Sequence, residues 1–214
     1  MNHYLLPLIV GRLSMMIMIS DINEEYYVLV CGSGKVPSPY VSCSKSHYLI
    51  FQEPMSLKMP IRIESAAEAQ EKVPLIEAMA APSDPVLSGR ITQVLNYFDL
   101  YKVQLLPAIY THNDDSEHSY SVLVVDNDID AYDFDNGLYI ERLDDGEVGN
   151  PRNCRLDPEK LSKIPLEKRY IFKIRGMMDY LVHKTIAESL VALNASGLHL
   201  VPVLEWDIGF GMKI

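Results

Sequence analysis

The stretch YIFKIRGMMDYLVHKTIAESLVALNASGLHLVPVLEW, Tyr170–Trp206, decides the fold. It reads as a strand, a second short strand ending at His183, a helix from about Lys184, a stop at Gly197 and a last strand. The strands are short apolar runs and glycine punctuates the helix end. The helix–stop–strand plan occurs earlier as SGRITQVLNYFDLYKVQLLPAIY, Ser88–Tyr110. There Ser88 is a capping residue, and Ile91, Val94, Leu95 and Phe98 share one helical face. Val103, Leu105 and Pro107 then alternate with Gln104, as in a strand with one buried face. Setting Pro107 on Pro202 matches Ile91 with Ile186, Leu95 with Leu190, Val103 with Leu198, Leu105 with Leu200 and Ile109 with Leu204. Two similar helix–strand units, or a coincidence of a common local plan, would give this pattern.

Outward from these units the chain turns strand-rich. Glu25–Cys31 is β-branched and aromatic, with Gly32-Ser33-Gly34 as the turn that ends it. A strand is expected at His47–Phe51, between the prolines of 36–60, and a helical turn at Pro74–Ala81. Tyr120–Val125 is a strand. Ala131–Phe134 and Leu138–Glu141 flank Asp135-Asn136-Gly137, the Asn-Gly signature of a hairpin. Asp144–Asn153 reads as a loop. Asp157-Pro158 opens a short helix, with Asp as cap and Pro at the first helical position. The fold class is therefore α+β: a mixed, mostly antiparallel sheet with two helix–strand units packed on it.

The chain of 214 residues is 48% hydrophobic and 22% charged, enough apolar material for a sizeable core. Tyr4–Ile19 is apolar, but at about 16 residues it is too short to span a bilayer and is interrupted by Pro7, Gly11 and Arg12. Residues 1–23 are read as an N-terminal extension or leader, a secretory signal being the competing reading, and 24–214 as one domain. Met15, Met16 and Met18 are alternative initiators. Three scattered cysteines, Cys31, Cys43 and Cys154, fit free thiols in a reducing, cytoplasmic setting. The net charge of −10 disfavours nucleic acid and anionic membranes as partners.

That charge is concentrated. Thr111–Glu147 holds 12 acids against one base, Arg142, while the rest of the chain carries 18 bases and 17 acids. Asp126, Asp128 and Asp130 begin a D-x-D-x-D, but Ala131 and Gly137 stand where a calcium loop requires Gly and Glu. No metal ligand set is assigned. A solvated acidic face and an acidic docking surface for a basic protein both fit the window. The docking reading takes Asp126, Asp128, Asp130, Asp133, Asp135, Asp144, Asp145 and Glu147 as its contacts. Catalytic signatures are missing: the Gly32–Lys35 run lacks Walker spacing, and G-x-S-x-G, H-E-x-x-H, C-x-x-C and G-x-G-x-x-G do not occur. Cys154 and His183 have no spacing that marks a nucleophile and its base. No catalytic residue and no cofactor is expected.

Several segments resemble a family of bacterial polymorphic-toxin immunity proteins, the eleventh numbered immunity family, formerly a domain of unknown function. They are YYVLV at Tyr26, S-x-R at Ser88–Arg90, VQLLPAIY at Val103, YSVLVVDNDIDAYD at Tyr120, IFKIRG at Ile171 and YLVHKTIAESLVALNASGLHLVPV at Tyr180. The resemblance implies a cytoplasmic, non-enzymatic protein that binds a cognate toxin, delivered by contact-dependent (type VI) secretion, and occludes its active site. The alternative is an enzyme or ligand-binding accessory protein that reverses or senses toxin damage.

Overall fold

The computed structural model describes residues 21–32, 42–43, 59–64, 74–80, 84–112, 114–145 and 147–209. In chain order its strands and helices are β1 (Tyr26–Cys31), β2 (Ser42–Cys43), β3 (Ile61–Glu64), β4 (Ala78–Met79), β5 (Val86–Ser88), α1 (Gly89–Leu95), β6 (Val103–Thr111), β7 (Glu117–Val125) and β8 (Asp128–Ile129). There follow β9 (Tyr139–Arg142), β10 (Val148–Pro151), α2 (Pro158–Ser162), β11 (Ile171–Ile174), β12 (Tyr180–His183), α3 (Lys184–Val191) and β13 (Leu198–Pro202). The fold is α+β, with mostly antiparallel pairing, as the sequence pattern implies. The first sheet has the order β13-β1-β12-β11-β8, the second β2-β3-β6-β7-β5-β4, and β9 and β10 form a separate ribbon.

Each large sheet is built on a strand–helix–strand unit that leaves a gap. β12 and β13, joined by α3, both run antiparallel to β1, which lies between them. β5 and β6, joined by α1, both run antiparallel to β7, which again lies between them. Adjacent strands in either gap would otherwise bury unpaired N–H and C=O groups, so the central strand is obligatory. The helices follow from local chemistry. His183 caps α3, its Nδ1 accepting from the Thr185 N–H at 3.3 Å. Asp157 caps α2 by accepting from Glu159 and Lys160 N–H. Ser88 occupies the cap position of α1, yet its hydroxyl makes no capping bond.

The two units are equivalent residue by residue. Tyr26 faces His183 as Tyr120 faces Ser88, and Tyr27 lies between Val182 and Pro202 as Ser121 lies between Leu87 and Pro107. Ala78 faces Leu87 as Ile171 faces Val182. Lys102 and Gly197 both adopt positive φ, 53° and 76°, and each offers its carbonyl to the residue that follows the central strand, Asp126 or Gly32. The repeat that pairing Pro107 with Pro202 brings out is thus real in three dimensions, and it includes the central strands YYVLVC and YSVLVV.

Burial follows the same symmetry. Leu29 and Leu123, Leu87 and Val182, Ile91 and Ile186, and Leu95 and Leu190 share one core, where both sheets and both helices converge. The alternate residues face outward. Tyr26, Val28, Leu181 and Phe172 pack with Ile129, Tyr132 and Leu156 of the 126–170 connection and with Trp206, which follows β13. Val86, Val122, Leu106 and Tyr120 form a third cluster with Ile63 and Ile76. The two halves are also stitched polar-to-polar. Arg90 pairs with Glu77 at 2.8 Å and donates to the Leu193 carbonyl at 3.1 Å, while the Ser196 carbonyl accepts from Glu77 and Ala78 N–H.

Three expectations are corrected. Residues 74–80 are extended, not helical, because Ala78 and Met79 are fully buried and pair with β5. Tertiary pairing outweighs the helix-start preference of Pro74. The Asn136-Gly137 turn does not close a hairpin. The Asp133 carboxylate draws in the N–H groups of Asp135 and Asn136, and Gly137 N–H donates to the Asp133 carbonyl. This makes a capped helical turn with no positive φ at Asn136 or Gly137. The hairpin lies one step later, β9 pairing with β10 inside the span read as a loop. The strand expected at 47–51 and residues 1–20 of the expected 1–23 extension fall outside the described residues, whereas Asn23 at its end is buried and bonds both main-chain groups of Leu156, so it packs with the domain.

Two stability outcomes follow from these contacts. A Cβ on Gly197 would sit 2.3 Å from the Ala78 carbonyl oxygen at a positive φ. Gly197→Ala should lower unfolding free energy in urea titrations by about 2 kcal/mol or more. The equivalent Lys102→Gly should be neutral or stabilising by less than about 1 kcal/mol. His183 is 3% exposed, and burial holds its pKa below the usual imidazole value against the opposing pull of Glu25, with Arg169 and Lys184 adding to the depression. Tyr26 and Tyr170 complete its surroundings. A depressed folded-state pKa means stability is full above about pH 6.5 and falls as the unfolded chain takes up the proton. The melting temperature should therefore drop less between pH 7 and 5 in His183→Asn, which keeps a capping acceptor, than in the parent.

Candidate interaction surface

The acidic window divides by location. Asp126 follows β7, half-buried, its N–H donating to the Lys102 carbonyl at 2.9 Å. Asp128 on β8 meets Lys173 Nζ at 3.3 Å, and Asp130 meets Lys160 Nζ at 3.0 Å. Asp133 spends its carboxylate on three donors: Asp135 N–H, Asn136 N–H and Asn136 Nδ2 at 2.7 Å. The carboxylates of Asp128, Asp130 and Asp133 thus hold the chain in place beside the first sheet, and Asp126 contributes its main-chain N–H. Glu147 is half-buried, and its N–H donates to the Asp145 carboxylate at 3.1 Å. Asp135, Asp144 and Asp145 are exposed on the ribbon side, joined there by Glu141. No ion pair among the described residues reaches Asp135, Glu141, Asp144 or Asp145.

The ribbon also carries apolar surface that the charge pattern concealed. Leu138, Ile140 and Leu143 are 63%, 59% and 39% exposed. Their signal in the sequence was the run LYIERL amid acids, which reads equally well as an ordinary strand. Beneath them the ribbon is anchored by aromatic rings. Tyr139 meets Phe134 edge-on at 5.2 Å and Tyr132 at 6.0 Å, and Tyr132 meets Phe134 at 5.1 Å. The Arg142 guanidinium lies 4.2 Å from the Phe134 centroid. Tyr132 Oη donates to the Leu138 carbonyl at 3.0 Å. Gly137 is required there, since a Cβ would fall 2.5 Å from that hydroxyl. The Asn153 side-chain oxygen accepts from Leu138 N–H at 2.7 Å, and Arg152 N–H donates to the Leu138 carbonyl at 2.6 Å. The anchored ribbon thus leaves Leu138, Ile140 and Leu143 exposed in a segment that also carries the exposed acids Asp135, Glu141, Asp144 and Asp145. Such a surface is suited to a protein partner with an apolar centre and basic edges.

Other candidate groups have structural roles. The Cys154 thiol is buried and pushed well up by desolvation, and burial pushes Cys31 up to about 12, so neither is a ready thiolate. The ring of His183 is committed to capping α3. His199 Nε2 lies 3.1 Å from the Gly32 carbonyl. Among the described residues no three His, Cys, Asp or Glu side chains gather as a metal site. No described helix is long and apolar enough to cross a membrane. The chain matches no protein-family model and no curated protein sequence.

The division of the acids is testable by stability alone. Asp133→Ala removes the acceptor of three donors and should cost about 1–2 kcal/mol in chemical denaturation. Asp135→Ala and Asp144→Ala should each change stability by less than about 0.5 kcal/mol.

Proposed function

We propose that this protein is an immunity protein that neutralises a cognate secreted bacterial toxin by direct binding, with the β9–β10 ribbon as its docking surface. The single observation that carries the reading is the ribbon itself: Leu138, Ile140 and Leu143 stand exposed between Asp135, Glu141, Asp144 and Asp145. The resemblance of the YYVLV, VQLLPAIY, YSVLVV and YLVHK…LVPV segments to an immunity family supports the partner class. A second copy of the chain is a poor occupant of this face, because it would bring the same uncompensated acids together. A toxin with a basic rim gains both burial and charge complementarity. The apolar residues supply affinity at the centre, and the acids steer encounter and fix orientation. Occlusion of the toxin's active site by the bound ribbon is the proposed means of neutralisation, in the cytoplasm of the producing cell.

Co-expression with the adjacent secreted-toxin gene tests this directly. Cells should survive only when the parent protein is present, and killing that continues regardless of it would end the proposal. In surface-binding kinetics with the purified toxin, Ile140→Lys together with Leu138→Ser should speed dissociation by about 10²-fold. Neutralising Asp135, Asp144 and Asp145 to Asn should slow association by about tenfold at low salt, and little at 0.5 M NaCl.

A further inference from the structure

The two central strands are the most nearly identical segments of the chain, and each sits in the sheet of the other repeat. Tyr26 and Tyr120 are 94 positions apart, Ala78 and Ile171 are 93, and Ser88 and His183, like Pro107 and Pro202, are 95. The spacing stays within two positions when each repeat is read as starting with its central strand: β1 before β4, β5, α1 and β6, then β7 before β11, β12, α3 and β13. The connections agree too, 32–77 after β1 and 126–170 after β7. Yet β1 pairs with β12 and β13 of the second repeat, and β7 pairs with β5 and β6 of the first.

The two gaps match in what they ask of a strand. Both take a tyrosine opposite the helix-capping residue. Tyr26 Oη accepts from the Arg169 guanidinium at 2.5 Å, and Tyr120 Oη donates to the Ile76 carbonyl at 2.7 Å. Arg169 and Ile76 stand two residues before the equivalent Ile171 and Ala78. Val28 and Val122 face the outer clusters, while Leu29 and Leu123 enter the shared core. The differences, Tyr27 against Ser121 and Cys31 against Val125, involve side chains that are partly exposed except for Val125.

We propose that the gap between β12 and β13 is a strand-acceptor site for an extended Tyr-x-Val-Leu-Val segment, and that β1 and β7 are interchangeable occupants exchanged between tandem repeats. Recognition is by main-chain pairing on both edges, with alternate side chains setting the register. A one-residue slip would turn Tyr26 and Val28 toward the helices and is excluded by the pattern.

The test uses the full chain with a protease site placed within residues 33–41. The nicked protein is unfolded in denaturant and refolded with fluorescent synthetic peptides of residues 21–32 and 115–126, both at about tenfold excess. Both peptides should enter the refolded protein one to one, to extents within about threefold of each other, whereas a scrambled 21–32 peptide should not. In a nicked His199→Cys chain, the 115–126 peptide carrying Val124→Cys should form a disulfide seen by intact mass, because Val124 takes the place of Val30 opposite residue 199. The same peptide with Leu123→Cys should not. Uptake of the 21–32 peptide alone, uptake of neither, or cross-linking without regard to position would each overturn the proposal.

Discussion

The main-chain pairing of a single strand, β1, is the constraint on which the rest of this structure depends. β12 and β13 are parallel and joined by α3, but they are one strand apart, so neither can satisfy the other. β1 pairs with β12 on one edge and with β13 on the other. Removing it would orphan ladder groups on both neighbours, at about 1–3 kcal/mol for each buried group. It would also uncover Tyr26, Val28 and Leu29, whose burial contributes roughly 1.5–3 kcal/mol apiece. The sums are not additive, but their size places β1 among the least dispensable parts of the chain. β7 holds the same position in the second sheet, with the advantage that its hairpin to β6 makes the pairing local.

This arrangement also dictates where the connections run. A chain leaving β7 in the second sheet must reach β11 in the first, and residues 126–170 make that crossing. They do so by covering the outer face of the first sheet. Asn127 fixes the start of the path, donating to the Lys168 and Ile171 carbonyls. β8 then pairs in parallel with β11. Asn23 clamps a later point by bonding both N–H and C=O of Leu156. Cys154, Leu156, Leu161 and Trp206 fill the space beneath. Within this crossing the β9–β10 ribbon is anchored through Val148 and Tyr139, which join the core beneath, while Leu138 and Ile140 of its first strand stay exposed.

Much of this was legible in the sequence, for physical reasons that also explain the gaps. The closing units were readable because helix period, glycine stop and strand alternation agree with one another from Tyr180 to Pro202. The repeat was visible in apolar positions flanking Pro107 and Pro202. The matching of YYVLVC with YSVLVV, 94 positions apart, lay equally open. It carries no sign of which sheet each strand joins, because a strand's partners lie far away in sequence. The misplaced hairpin has a different cause. Asn-Gly favours a tight reversal only if nothing nearer competes for its backbone, and the Asp133 carboxylate does compete. Charge density marked out the 111–147 window without showing which of its acids face outward. Lys160 and Lys173, which satisfy Asp130 and Asp128, come from 30 and 45 residues downstream.

The partition of those acids bears on the proposed docking surface. Near the sheet, Asp128 and Asp130 each meet a lysine and Asp133 takes backbone donors, so the charge of these three is spent on holding the crossing segment. On the ribbon, Asp135, Glu141, Asp144 and Asp145 face water, where isolated charges add little to stability but extend a field over roughly a Debye length, about 8 Å in physiological salt. Placed around Leu138 and Ile140, that field does two things at once. It keeps an exposed apolar strand from pairing with a second copy of itself, since like charges would be brought into register. It also favours an oppositely charged surface in the same position. An apolar centre alone would be an aggregation hazard and an acidic patch alone would discriminate weakly. In the docking reading proposed above, the two together would disfavour self-pairing and select a basic partner, and the aromatic base beneath would limit the ordering cost of binding.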